Sequence, residues 1–216
     1  MNMKKIISFF IVACCAMCAT AAKVVWQIGV ADNSGTELAL GPSEYKKFLA
    51  HDFGYEDRYF LVGTSVDKND FPYVLPGPDD TWGGTWSTSG WRTHDANILF
   101  GIKKLPKHGK WKLVVDLVDA NPSRSVVKVM VNSAEKKFEI KGHSKGVLEG
   151  NLQDAKEQIL EFPISADDLK KGGNMVTVSV LEGGWIVFDQ IRLEGADELV
   201  LEKNNEYAFL RNVAPA

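Results

Sequence analysis

The chain has 216 residues, of which 25 are basic and 28 acidic, for a formal net charge of −3, and 45% are hydrophobic. A slight acidic excess argues against nucleic acid as a partner, because that binding depends on clustered cations that neutralise phosphates. The length suits one domain with a substantial two-layer core.

Lys4 and Lys5 precede a short apolar run from Ile6 to Ala13, and Ala19-Thr20-Ala21 has the small-x-small form of a cleavage site. Residues 1–21 therefore read as an export signal, and the mature chain is expected in the periplasm or outside the cell. An alternative is a cell-surface lipoprotein, since Ile11-Val12-Ala13-Cys14 has the form of a lipidation sequence ending on Cys14. No apolar run reaches the roughly 20 residues of a membrane span. The three cysteines Cys14, Cys15 and Cys18 all fall in the signal, so a core without disulfides must hold the mature chain together. Loss of Lys4 and Lys5 takes the formal charge to −5.

Val24 to Val30 forms the first strand candidate. Pro42 to Leu49 spaces its apolar residues for a short helix that starts at Pro42, and Tyr59 to Val62 is the next strand. A long irregular segment follows. Strands are then expected over Ala96–Gly101, Trp111–Val118, Val126–Val131, Lys136–Ile140, Met175–Leu181 and Trp185–Leu193, bounded by Gly, Pro and Asn signals. Val127, Val129 and Val131 share one face while Lys128 points the other way, and Val176, Val178 and Val180 alternate with Thr177 and Ser179. Each such strand has one dry and one wetter face, the pattern of two antiparallel sheets packed face to face. Ser165 and Asp168 have the spacing of a capping box over a short helical turn. Lys103, Lys104, Lys107, Lys110 and Lys112 gather around Pro106 and Gly109 and read as a solvated hairpin rim. Residues 22–205 form one expected domain, and 206–216 a tail or linker.

Trp26-Gln27-Ile28-Gly29, Trp111-Lys112-Leu113-Val114-Val115-Asp116-Leu117 and Phe188-Asp189-Gln190-Ile191-Arg192-Leu193-Glu194 resemble the C-terminal carbohydrate-binding-like domain of rhamnogalacturonan lyases. They are also similar to noncatalytic sandwich modules of bacterial glycan-degrading proteins. The resemblance implies an all-β, two-sheet antiparallel jelly-roll β-sandwich, galactose-binding-like, with one or two short helices. It also implies a partner catalytic domain and pectic polysaccharide as the substrate class. The segment from Asp79 to Trp91 departs from the family pattern.

That segment carries the strongest local signal for function. Trp82, Trp86 and Trp91 lie among Gly, Ser and Thr, where an indole offers a face to the C–H groups of a sugar while neighbouring polar groups meet its hydroxyls. Asp80, Arg92 and His94 are the candidate polar partners, and Tyr73 is a lesser aromatic candidate. The competing reading is that these tryptophans anchor a long loop and cap the sandwich, with Asp79, Asp80, Arg92 and His94 making loop hydrogen bonds. Trp91, nearest the following strand, is the most anchor-like of the three. Trp26 and Trp111 sit in apolar strands and read as core, while Trp185 fits either a rim platform or a buried edge.

No spacing selects a pair of catalytic carboxylates, and His94 with Arg92 is the most concrete arrangement for a lyase. His51, His94, His108 and His143 are scattered, and Asp67-Lys68-Asn69-Asp70 does not follow a calcium-loop pattern, so no metal or cofactor is expected. The leading expectation is a noncatalytic carbohydrate-binding or accessory module that takes a polysaccharide or oligosaccharide and concentrates it for a partner catalytic domain or a surface glycan-uptake partner. A lyase or glycoside hydrolase component and a structural or protein-interaction sandwich are the alternatives.

Overall fold

The computed structural model describes residues 22–50, 53, 58–84, 94–195 and 198–202. The signal, Cys14 and the 206–216 tail lie outside the described residues. The strands are β1 (Lys23–Gly29), β2 (Arg58–Leu61), β3 (Val74–Leu75), β4 (Asp95–Lys104), β5 (Lys110–Ala120), β6 (Arg124–Val131), β7 (Ala134–Lys141), β8 (Gln158–Ser165), β9 (Gly172–Glu182), β10 (Ile186–Gly195) and β11 (Val200–Glu202), with one four-residue helix, α1 (Asp67–Asp70).

They build two sheets. One runs β1-β10-β5-β8, with β3 continuing the β1 edge of β10; the other runs β11-β4-β9-β6-β7, with β2 beside β11 on the free edge of β4. Apart from the β6–β7 hairpin, which stays within one sheet, consecutive long strands alternate between the sheets in the order of a jelly roll. The expected sandwich is present, with one departure from a wholly antiparallel pattern: β2 pairs with β4 in parallel. A long connection, part of which holds α1, separates β2 from β4, so a tight hairpin does not impose antiparallel pairing.

Alternation decides which side chains meet. Val127, Val129, Val131, Val176, Val178 and Val180 are all buried without measurable exposure, facing Leu113, Val115, Leu117, Ile191 and Leu193 of the other sheet. Burying each valine stabilises the fold by about 1.5–3 kcal/mol before chain entropy is counted. The Trp26 ring sits 5.4 Å from that of Phe100, bridging the sheets. Trp111 is buried with Gly109 and Gly195 against its ring; a Cβ on Gly195 would approach the indole to 2.3 Å. Both tryptophans are core residues, as their apolar strands suggest. Thr177 and Ser179, on the expected wetter face, are buried too. The Thr177 hydroxyl donates to Asn97 (2.7 Å) and the Ser179 hydroxyl to Asp95, so side chains of β4 satisfy that face in place of water.

Two further expectations change in detail. The helix expected over Pro42–Leu49 reduces to a 3-10 turn at Tyr45–Lys47, because burial of Phe48 seats the segment, which is too short to sustain helix without such packing. The lysine rim is a β4–β5 hairpin in which Lys103, Lys104, Lys107 and Lys110 are exposed, but Lys112 bridges Glu161 (2.5 Å) and Glu194 (3.2 Å) on the outer face of the sheet. At residues 166–168 the anticipated cap is present, with the Ser165 N–H and hydroxyl both donating to the Asp168 carboxylate at 2.8 Å.

The long connection between β7 and β8 crosses from one sheet to the other, and one carboxylate holds it. Asp119, completely buried near the end of β5, accepts from the N–H groups of Ala120 (2.8 Å), His143 (3.0 Å), Ser144 (2.9 Å) and Lys156 (3.3 Å) and from the Gln158 amide (3.5 Å). Asp119→Ala strands these donors and is expected to cost about 2–4 kcal/mol in urea denaturation. Asp119→Asn recovers only part of this, because its NH2 group faces other N–H donors. Trp26→Ala and Trp111→Ala should each lose about 3–5 kcal/mol in the same assay.

Candidate functional site

The segment after β3 leaves the sandwich at the end where β5 stops and β10 starts. Gly77 is what lets it sit there: a Cβ at this position would lie 2.3 Å from the Gly184 carbonyl oxygen, and the Asp79 N–H donates to the Gly183 carbonyl at 3.1 Å. The loop is therefore seated on the β9–β10 turn by backbone contact that any larger residue would block.

Asp80 folds back under this turn. Its buried carboxylate accepts from the Gly77 N–H (3.0 Å) and from the side chain of Trp82, whose indole N–H is its only donor. Burial pushes the Asp80 carboxyl up to about 6, helped by the neighbouring Asp79 charge and opposed by the Gly77 and Trp82 hydrogen bonds. Trp82 is half-buried. Its ring meets the rings of Tyr45 at 5.1 Å and Phe48 at 5.9 Å, both edge to face. Phe48 in turn touches Phe53 (5.6 Å) and the His94 ring (5.5 Å), and the buried His94 donates from Nε2 to the Gly83 carbonyl at 2.7 Å.

The sequence candidates thus separate by role. Trp82 is only half-buried, with Asp79 and Thr81 exposed beside it. Asp80 and His94 brace the loop from below, their polar atoms committed to it. Tyr73 is completely enclosed: its hydroxyl donates to the Leu148 carbonyl (2.8 Å), its carbonyl accepts from the Phe188 N–H (2.7 Å), and burial holds its phenol well above the usual range. It joins the β7–β8 connection to the start of the loop and has no surface for a ligand. Trp185 is likewise buried. Trp86, Trp91 and Arg92 lie outside the described residues. Tyr45 and Phe48, which orient Trp82, were legible only as apolar positions of a short helix; nothing local signals their partner nearly 40 residues onward. Among the described residues no group of three or more His, Cys, Asp or Glu side chains is placed to hold a metal ion.

A family model described as CBM-like, polysaccharide lyase family 4, domain III, matches residues 24–193. The chain belongs to this family. The carbohydrate-binding-like domain, an accessory module of polysaccharide degradation, so occupies nearly all of the sandwich. No curated protein matches the chain. Among solved structures, it is similar to a family 35 carbohydrate binding module from an environmental isolate, with 14% identity, a TM-score of 0.34, and coverage of 78% of this chain and 91% of that one. A family 35 module from Cellvibrio japonicus has 13% identity and a TM-score of 0.36 over 53% of this chain and 72% of its own. A family GH115 4-O-methyl-alpha-glucuronidase has 14% identity and a TM-score of 0.40 over 81% of this chain, which spans 18% of the enzyme's length.

In this carbohydrate-binding-like domain the raised Asp80 pKa has a definite thermodynamic sign. Folding favours the protonated carboxyl, so its contribution to stability is full below the ordinary 3.8 and is lost as pH rises through about 6. Asp80→Asn removes that titration. The melting temperature of the variant relative to the parent should therefore improve between pH 4 and pH 7, measured by calorimetry at matched ionic strength; a pH-independent difference would contradict the burial of an ionisable carboxyl here.

Proposed function

We propose that this chain is a noncatalytic carbohydrate-binding module that brings a polysaccharide to a degrading enzyme outside the cytoplasm, and that Trp82 is its stacking platform. The observation that carries the reading is the state of Trp82: the Asp80 carboxylate and the Tyr45 and Phe48 rings fix it, yet it is only half-buried at the end of the sandwich. A pre-positioned aromatic loses little freedom on binding, so more of the stacking energy appears as affinity. Exposed Asp79 and Thr81 supply acceptors and a donor for sugar hydroxyls.

Trp86, Trp91 and Arg92 complete the surface in this reading, and pectic chains are the substrate class that the lyase resemblance suggests. The signal-like residues 1–21 support an extracytoplasmic setting, where such polymers are met. Asp80 and His94 are committed to framework hydrogen bonds, and a bond-breaking role would require each to leave them. The module's contribution to degradation is thus concentration of substrate, with chemistry supplied by a partner catalytic domain.

A glycan array spanning pectic and hemicellulosic polymers, followed by calorimetry on the hits, tests this. Trp82→Ala should lose about 1–3 kcal/mol of binding. Tyr73→Phe should leave affinity unchanged while costing about 1 kcal/mol of stability, because it removes one buried hydrogen bond. Absence of any glycan ligand, or full affinity in Trp82→Ala, would overturn the assignment.

A further inference from the structure

The end of the sandwich away from Trp82 holds a second concavity. β9 begins there, beside the end of β4, and its 11 residues span roughly 35 Å to the β9–β10 turn that seats the Trp82 loop. A cleft of about 830 Å3 opens on the outer face of β4 and β9, beside the β6–β7 turn. Its floor is apolar: Leu99 and Met175 are cross-strand partners, and Met175 is 37% exposed, unusually open for a large apolar side chain within a central strand.

The wall is the 167–171 loop, which is held in place away from the floor. Asn132, in the left-handed region at φ 53°, donates from Nδ2 to the Asp168 carbonyl (2.8 Å) and to Asn174 Oδ1 (2.9 Å), and its own Oδ1 accepts from the Met175 N–H (3.2 Å). The buried Asn174 donates to the carbonyls of Lys170 (2.8 Å) and Gly172 (2.9 Å) and accepts from the Lys170 N–H (2.9 Å). These two amides tie the loop to the β6–β7 turn, so the wall is in place before any partner arrives.

The wall reads Asp167-Asp168-Leu169-Lys170-Lys171, two acids and two bases placed symmetrically about a leucine. Its charges balance, so it selects neither an anion nor a cation. Laid antiparallel against itself, however, it is complementary at every charged position: Asp167 meets Lys171 and Asp168 meets Lys170, each twice. A two-fold interface requires this of its surface, because residue i must contact j wherever j contacts i. Asp167, Lys170 and Lys171 are exposed, Asp168 keeps its charge while accepting from the Ser165 N–H and hydroxyl, and the buried Leu169 anchors the centre. An apolar floor inside a charged, balanced rim is also the anatomy of a protein interface.

We propose that this face pairs two copies of the chain about a two-fold axis near Leu169, with the acids of each wall opposite the bases of the other and Met175 covered on both. An unrelated protein would have to match the wall by a separate pattern, whereas a second copy carries the complement in its own. Pairing at this end leaves both Trp82 surfaces at the outer ends. If those surfaces bind glycan, the dimer can engage one polymer twice and gain avidity with no new sugar contact. That consequence rests on the proposed function; the pairing itself does not.

Analytical ultracentrifugation of the full chain tests the pairing. The parent should show a monomer–dimer equilibrium at or below about 1 mM chain, weakened as salt is raised. Asp167→Lys alone and Lys171→Glu alone should each weaken it by at least about tenfold, because like charges then face each other twice. Asp167→Lys with Lys171→Glu in one chain should restore it, and so should an equimolar mixture of the two single variants. Both side chains are exposed, so every variant is expected to keep the parent melting temperature. A parent that stays monomeric up to about 1 mM overturns the proposal, as does a dimer that survives either single reversal or that the double reversal fails to restore. Calorimetric binding of a short oligosaccharide at Trp82 should be the same in the parent and in all three variants. Loss of the dimer therefore leaves the proposed function standing, and absence of glycan binding leaves the dimer standing.

Discussion

One buried carboxylate ties the candidate binding surface to the core. Asp119 ends a central strand and collects backbone N–H groups from both ends of the β7–β8 connection. That connection presents the Leu148 carbonyl to the Tyr73 hydroxyl, Tyr73 pairs with the backbone of Phe188, and the loop that follows Tyr73 reaches the Gly183–Gly184 turn and Trp82. Each link replaces a water contact with a protein contact in a low-dielectric setting, where an unmade partner is costly. With every cysteine confined to the first 18 residues, such polar ties cross-link the sandwich without disulfides.

The jelly-roll path concentrates connections at the two ends of the sandwich and leaves the sheets as rigid supports. The ends have taken different chemistry. At one, aromatic rings pack edge to face under Trp82, with Asp80 and His94 closing the hydrogen bonds beneath. At the other, paired asparagines tie the 167–171 loop to the β6–β7 turn.

Strands whose alternation is carried by valine were legible from the chain alone, since Val127, Val129 and Val131 on one face admit few other arrangements. β8 was not identified, although Leu160, Phe162 and Ile164 alternate in the same way. Pro163 argues against a strand interior, and it is accommodated because β8 is the sheet edge, paired only with β5. Whether a strand lies at an edge is a property of the whole topology. The buried Thr177 and Ser179 teach the same lesson: a hydroxyl marks a wet face only when no cross-strand amide or carboxylate stands ready to receive it.

The amino-acid sequence determined the fold class, the family and the region richest in sugar-binding residue types, because hydrophobic period and residue chemistry are local properties. Tertiary structure alone decided the roles within that region. Asp80, His94 and Tyr73 have the same side chains whether they meet a ligand or brace a loop, and only the positions of Gly77, Gly83 and Leu148 commit them to bracing. The Asn132–Asn174 amide pair and the Leu99–Met175 contact likewise depend on bringing distant segments together. Strand register creates those neighbours, and no short window of sequence contains them.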